Sequence, residues 1–357
     1  MSGIWGNKFK VSIFGESHGK AIGVVLDGVP SGMELDFDYI STEMKRRAPG
    51  KNKISTSRKE DDQYEIMSGV FNGKTTGTPL CALIWNKNQH SKDYEVLKNI
   101  MRPGHADYTG YVKYNGFNDY RGGGHFSGRL TAPIVFAGSI ARQILEEKEI
   151  IIGSHIKSIG RIHDESFDGI NMTNDILGVI RQKKFAVIND EAGLNMEQAI
   201  IKVKEEEDSL GGIIETAILN LPTGIGAPFF DSVESRLSTI MFSIPGVKGV
   251  EFGAGFDIVN MKGSEANDEY YIENDDIKTY TNNNGGILGG ITNGMPIIFR
   301  TAIKPTPSIG KLQKTININE KRNTEVEIQG RHDPCIVPRA IPVIEAATAI
   351  AILDMII

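Results

Sequence analysis

The stretch Lys10-Val-Ser-Ile-Phe-Gly-Glu-Ser-His-Gly-Lys-Ala-Ile-Gly-Val-Val-Leu26 decides the class of fold. Two short runs of alternating apolar residues, Lys10–Phe14 and Gly23–Leu26, follow one another with only a glycine-rich turn between them. A period of two marks a half-buried strand. Strands in direct succession favour an α+β architecture with antiparallel sheet over strict β-α-β alternation. Further strand-like runs occur at Tyr64–Val70, Leu80–Trp85, Gly212–Leu219, Gly249–Phe252 and Pro296–Ile303. Helical periodicity fills Asp38–Arg47, Leu130–Lys148, Asn174–Gln182, Met196–Glu207, Asp231–Phe242 and Pro342–Met355, the last expected to begin with Pro342 in its first turn. No boundary or internal repeat interrupts the pattern, so residues 1–357 read as one large domain. The polar stretch Asn260–Asn284 reads as a mobile insertion.

Composition narrows the function. The chain of 357 residues carries 39 Lys+Arg against 45 Asp+Glu, a formal charge of −6. That sign argues against nucleic acid or an anionic membrane as the main partner, and any basic site must be built locally. Two cysteines, Cys81 and Cys335, are too few for a disulfide framework. The most apolar stretch, Ala340–Ile357, is broken by Pro342, Glu345 and Asp354, so it reads as a buried helix rather than a membrane span. With no signal-peptide core at the start of the sequence, a cytoplasmic location is expected.

Four of the seven histidines sit beside glycine or arginine: Gly15-Glu-Ser17-His18-Gly19, Arg102-Pro-Gly-His105-Ala-Asp107, Arg121-Gly-Gly-Gly-His125-Phe126-Ser127 and Gly330-Arg331-His332-Asp333-Pro-Cys335. Imidazole exchanges protons near neutral pH, and guanidinium grips carboxylate or phosphate by a two-pronged bond. Together they suit a polyanionic substrate that loses a charged group. Metal is disfavoured, because no tight ligand spacing occurs and arginine-rich walls repel a cation. His90, His155 and His163 lie among ordinary polar residues and are expected at the surface. Lys304-Pro305-Thr306-Pro307-Ser308 is either a stiff loop or the seat of one phosphate. Lys45–Lys59, with seven cations around Pro49-Gly50, is either a solvated loop or a flap over an anion. Gly69–Thr75 is one residue too short for a P-loop, and Gly122–Gly128 lacks the dinucleotide-binding glycine pattern.

These blocks, in this order and together with Val247-Lys-Gly-Val-Glu251, Gly285-Gly-Ile-Leu-Gly-Gly290 and Lys304-Pro-Thr306, resemble the chorismate synthase family over essentially the whole chain. The resemblance implies a β-α-β sandwich assembled as a homotetramer. It also implies the last step of the shikimate pathway: anti-1,4-elimination of phosphate from 5-enolpyruvylshikimate 3-phosphate, giving chorismate. That reaction needs reduced FMN without net redox change; NADPH is the reductant, used directly or through a separate flavin reductase.

Carried onto this chain, the family pattern makes His18 the acid that protonates the departing phosphate and His105 the imidazole beside the flavin. Asp333, with Ser17, becomes the group that assists proton transfer at the flavin. Arg47, Lys53, Arg102, Arg129 and Arg331 become the substrate clamps. The FMN positions become His125, Phe126, Ser127, Pro245, Gly246, Gly289, Lys304, Pro305, Thr306, Pro307, Ser308 and Arg331. His125 stands where many relatives carry arginine, as do Ala48 and Lys53.

Overall fold

The computed structural model describes residues 3–50, 62–87, 98–328 and 333–357. Two five-stranded sheets, antiparallel at every pairing, form two layers. The first runs Ile4–Trp5, Lys10–Gly15, Ala21–Asp27, Leu80–Trp85, Tyr64–Ser68 in spatial order. The second runs Val247–Phe252, Ile297–Ile303, Gly212–Leu219, Ile151–Ile159, Ile162–His163. Among the described residues eight α-helices accompany them: α1 (Phe37–Arg47), α2 (Asp107–Lys113), α3 (Thr131–Glu146), α4 (Asn174–Gln182), α5 (Asp190–Glu205), α6 (Val233–Met241), α7 (Gly263–Ala266) and α8 (Val337–Ile356).

Helices α3 and α8 pack on each other; α3 covers Ala21–Asp27 of the first sheet, and α8 covers Ile151–Ile159 and Gly212–Leu219 of the second. Both are buried on nearly every side, as a helix between two apolar layers must be. The α+β sandwich expected from the sequence is therefore what the chain forms. The two axes approach closely at Gly138, where a Cβ would lie 2.3 Å from the Cβ of Ala346. Gly15 pairs with Ile22 across the first hairpin, so the turn between them hangs at one end of the first sheet.

Several expectations are corrected. Helix α8 starts at Val337, with Pro338 rather than Pro342 in its first turn. Pro342 lies inside the helix, where packing on all sides outweighs the lost backbone hydrogen bond. Helix α5 begins at Asp190, because the Asn189 side chain caps the N–H groups of Glu191 and Ala192. The stretch Asn260–Asn284 is not a loose insertion: it forms α7 and a hairpin of Tyr270–Glu273 with Asp276–Thr279. Buried Asp268 anchors it, accepting the N–H groups of Asn283 and Asn284 at 2.7 and 2.9 Å. Gly69–Thr75 is a tight hairpin, with Asn72 and Gly73 at φ 49° and 78°. No helix among the described residues is long and apolar enough to cross a membrane.

Candidate active site

The turn after Lys10–Gly15 interlocks with the triple-glycine segment. Ser17 N–H donates to Gly124 O at 3.1 Å, and His125 Nδ1 lies 2.8 Å from Gly15 O. Ser17 Oγ sits 3.1 Å from Gly122 O, 3.3 Å from Arg121 O and 3.2 Å from His18 Nδ1. Ser17 Oγ thus touches two backbone carbonyls and the His18 ring at once, which fixes the orientation of the imidazole. Gly122, Gly123 and Gly124 have φ of 59°, 85° and 53°. A Cβ on Gly122 would lie 2.2 Å from His18 Nδ1 and 2.8 Å from Ser17 Oγ. Glycine is needed there for both conformation and space.

His18, itself 5% exposed, lines an open cleft of about 700 Å³ with Lys20, Trp85, Asn86, Lys87 and Arg121. Among the described residues the wall carries three cations, Lys20, Lys87 and Arg121, and no carboxylate. Asp119 holds Arg121 from behind through two bonds of 2.8 Å. That hydrogen bonding keeps the Asp119 carboxyl below its usual range, with the nearby His18 adding to the effect.

A second cluster joins the arginine–histidine loop to the Lys304–Ser308 segment. Lys304 Nζ donates to Gly104 O at 2.5 Å, and His105 Nε2 lies 2.7 Å from Ser308 Oγ. Lys304 N–H donates to Gly246 O at 2.9 Å, which brings Pro245-Gly246 alongside. Burial, and Lys248 nearby, hold the Lys304 ammonium below its usual pKa. The Thr306 hydroxyl is buried with no hydrogen-bond partner among the described residues. A cation destabilised by its surroundings and an orphaned hydroxyl fit a phosphate group. Helix α2 ties the two clusters together, since Gly110 packs directly under the Phe126 ring. Gly289 turns the short hairpin Ile287–Leu288/Ile291–Thr292, and no described contact links it to this cluster.

Behind the cleft lies a buried arginine pair. Asp62 Oδ2 accepts from Arg47 Nη1 at 2.5 Å, and Oδ1 accepts from Arg129 Nη1. Arg47 also donates through Nε to Thr131 Oγ1 and through Nη2 to Gly128 O, both at 3.1 Å. Asn86 connects this group to the cleft: its Oδ1 accepts from Arg129 Nε at 3.2 Å, while its Nδ2 donates to Glu16 O and Gly19 O. Ser127 Oγ accepts the Arg129 N–H. Asp333 pairs with Arg339, whose Nε donates to Arg47 O at 3.2 Å. Arg102 folds back on Asp107 through bonds of 2.7 and 2.8 Å. Lys53, Arg331 and His332, the rest of the proposed flap from residue 51 on, and His90 lie outside the described residues.

Sequence reasoning passed over Asp62 and Asn86. Asp62 is the last of three acids, Glu60-Asp61-Asp62, that follow the cation-rich run, and that reversal of charge is the available signal. His155 is also corrected: it is fully buried, not a surface group, with Nδ1 3.1 Å from Asp164 and Nε2 2.9 Å from Glu215. His163 is exposed as expected.

Comparison with known proteins agrees with this geometry. The family profile described as chorismate synthase matches residues 9–357. The chorismate synthase of Dehalococcoides mccartyi is 48% identical over 355 residues, covering 99% of this chain and 96% of that protein. That of Methanobrevibacter smithii is 46% identical over 356 residues with the same coverage. A crystal structure of a chorismate synthase superposes with a TM-score of 0.76 at 31% identity, covering 98% of this chain and 92% of its own. The chain belongs to the chorismate synthase family, carbon–oxygen lyases that carry out the last step of the shikimate pathway.

Proposed function

We propose that this chain eliminates phosphate from 5-enolpyruvylshikimate 3-phosphate in a reduced-FMN-dependent reaction, with the cleft beside His18 as its active site. The observation that carries the reading is the seat of His18: a buried imidazole, oriented through Ser17, on a wall whose charged side chains among the described residues are all cationic. An acid in that position serves a leaving phosphate, which departs more readily once protonated. Cationic walls in a site of low dielectric offset the two carboxylates and the phosphate of the substrate.

Each residue then has a task. His18 delivers the proton to the departing phosphate, and Ser17 holds the ring. Arg129 and Arg47 orient the anion, joined by Arg102, Lys53 and Arg331. FMN is held by Lys304, Pro305, Thr306, Pro307 and Ser308, with Pro245, Gly246, Gly289, His125, Phe126, Ser127 and Arg331 completing its surroundings. His105, bonded to Ser308, would stand beside the flavin, and Asp333, steadied by Arg339, would assist removal of the ring proton together with Ser17. When bound, reduced flavin supplies transient electron density and a base. The assembly is a cytoplasmic homotetramer, and its flavin is reduced at the expense of NADPH by the chain itself or by a separate reductase.

Anaerobic measurement of phosphate release, with and without dithionite-reduced FMN, tests the reading. Release that depends on the reduced cofactor is expected; no release under either condition overturns it.

A further inference from the structure

We propose that Arg121 is a further substrate contact of the His18 cleft, one that takes the departing phosphate on the outer edge of its guanidinium. The inference rests on the reading of that cleft as the site of elimination. Among the described residues Arg121 lines the cleft, whereas Arg47, Arg102 and Arg129 do not. Its side chain is 39% exposed, against 5% for Arg47 and 7% for Arg129. Asp119, two positions earlier, holds it at one edge only. Oδ1 accepts the Arg121 backbone N–H at 3.0 Å and Nε at 2.8 Å, and Oδ2 accepts Nη2 at 2.8 Å. A guanidinium carries five donors, and no hydrogen bond among the described residues uses the remaining three, on Nη1 and Nη2. Those three form the edge that matches two oxygens of a phosphate. A fork already fixed at its other edge offers them with little further loss of side-chain freedom.

The same few residues seat the acid and the guanidinium. Arg121 O lies 3.3 Å from Ser17 Oγ, which meets the His18 ring, and the next residue, Gly122, forms the hollow for that ring. Lys20 stands on the same wall. Glu16 attracts Arg121 through space but makes no hydrogen bond to it among the described residues. In the elimination the bond from the ring carbon to the ester oxygen breaks, and that oxygen keeps the electron pair and takes the His18 proton. Negative charge therefore gathers on the phosphate as it leaves, and a contact to its other oxygens strengthens on the way to the transition state. Arg121 makes that contact and exchanges no proton, since a guanidinium stays charged.

Calorimetric titration of the full chain with inorganic phosphate reads the contact without turnover. Saturating FMN is present, so that the Lys304–Ser308 segment is already occupied. Arg121→Gln is expected to bind phosphate about tenfold more weakly than the wild type and to lower kcat/KM for phosphate release about 10²-fold. An arginine that merely closes the turn around Asp119 and seats His18 would give a different result: kcat falls while phosphate affinity stays within about twofold of the wild type. That outcome, or a wild type that takes up no phosphate, overturns the proposal. Arg121→Lys keeps the charge for Asp119 but loses the fork, and its phosphate affinity is expected about threefold below wild type. Wild-type affinity in Arg121→Lys overturns the two-pronged contact, even if Arg121→Gln does not fold. Absence of turnover in the wild type, with phosphate binding still weakened in Arg121→Gln, supports the contact and counts instead against the assigned reaction.

Discussion

Arg46 and Arg47 are neighbours in sequence and end in two different buried ion clusters. Arg46 reaches Glu345 and Glu43, both at 2.7 Å. Arg142 and Arg181 join it, and Glu146 completes the set, so three arginines face three glutamates. Glu345 also accepts the Ser154 N–H at 3.0 Å. Its burial would raise its pKa, yet Arg46 and Arg142 hold it low. Every charge in that cluster is matched, and it clamps α1, α3, α4 and α8 to the second sheet. Around Arg47 the arrangement is different: among the described residues Arg47 and Arg129 share the two oxygens of Asp62, and Arg129 also bonds Asn86 on the cleft wall. The first cluster ties elements of the core together, whereas the second stands directly behind the cleft.

The sharpest way to break this comparison is to remove the central acid of the balanced cluster. Glu345→Gln is expected to lower unfolding stability by about 3–5 kcal/mol in a urea titration, since it leaves buried arginines uncompensated. A loss under about 1 kcal/mol would show that the core cluster is not structural. On the functional side, His18→Ala should reduce kcat by about 10²-fold or more while flavin affinity and melting temperature stay near those of the wild type. Equal turnover would remove the acid from the site. Lys304→Ala should weaken FMN binding about tenfold by fluorescence titration, with no change in urea stability; unchanged affinity would move the cofactor phosphate elsewhere.

The smallest effect concerns His155, a further buried charge whose cluster is closed. Burial lowers its pKa, but hydrogen bonds and attraction from Asp164 and Glu215 raise it above the usual value. Its contribution to stability is complete below the unfolded pKa of about 6.5 and fades as pH rises through the folded value. The stability gap between wild type and His155→Gln should therefore narrow from pH 6 toward alkaline pH. A gap that does not change with pH would mean that folding leaves the proton affinity of the imidazole unaltered, and a gap that widens toward alkaline pH would mean that the fold holds it neutral.

What the sequence made legible follows from distance along the chain. The paired strands Lys10–Gly15 and Ala21–Asp27, helix α4 and the strands Leu80–Trp85 and Gly212–Leu219 carry their periodicity locally, and they form where the pattern puts them. Strand Ile151–Ile159 was passed over because it is buried at both parities, so alternation vanishes. The hairpin of Gln313–Asn317 with Arg322–Val326 was passed over as well. His155 was misplaced because its polar environment is supplied by Asp164 and by Glu215, 60 positions away. Asp62 escaped notice for the same reason: its partners stand 15 and 67 positions distant. The glycine and histidine blocks were legible, since sterics and proton chemistry constrain them residue by residue. Their convergence into a cleft on one side and onto the Lys304–Ser308 segment on the other was not.

The mould of the imidazole has a direction to it. Since Gly122 supplies the hollow into which His18 fits, even an alanine there would require an unfavourable backbone and would press on the ring at the same time. No graded series of side chains exists at that position, so the tilt of the imidazole is tuned instead through the length and polarity of residue 17, which meets the same ring nitrogen.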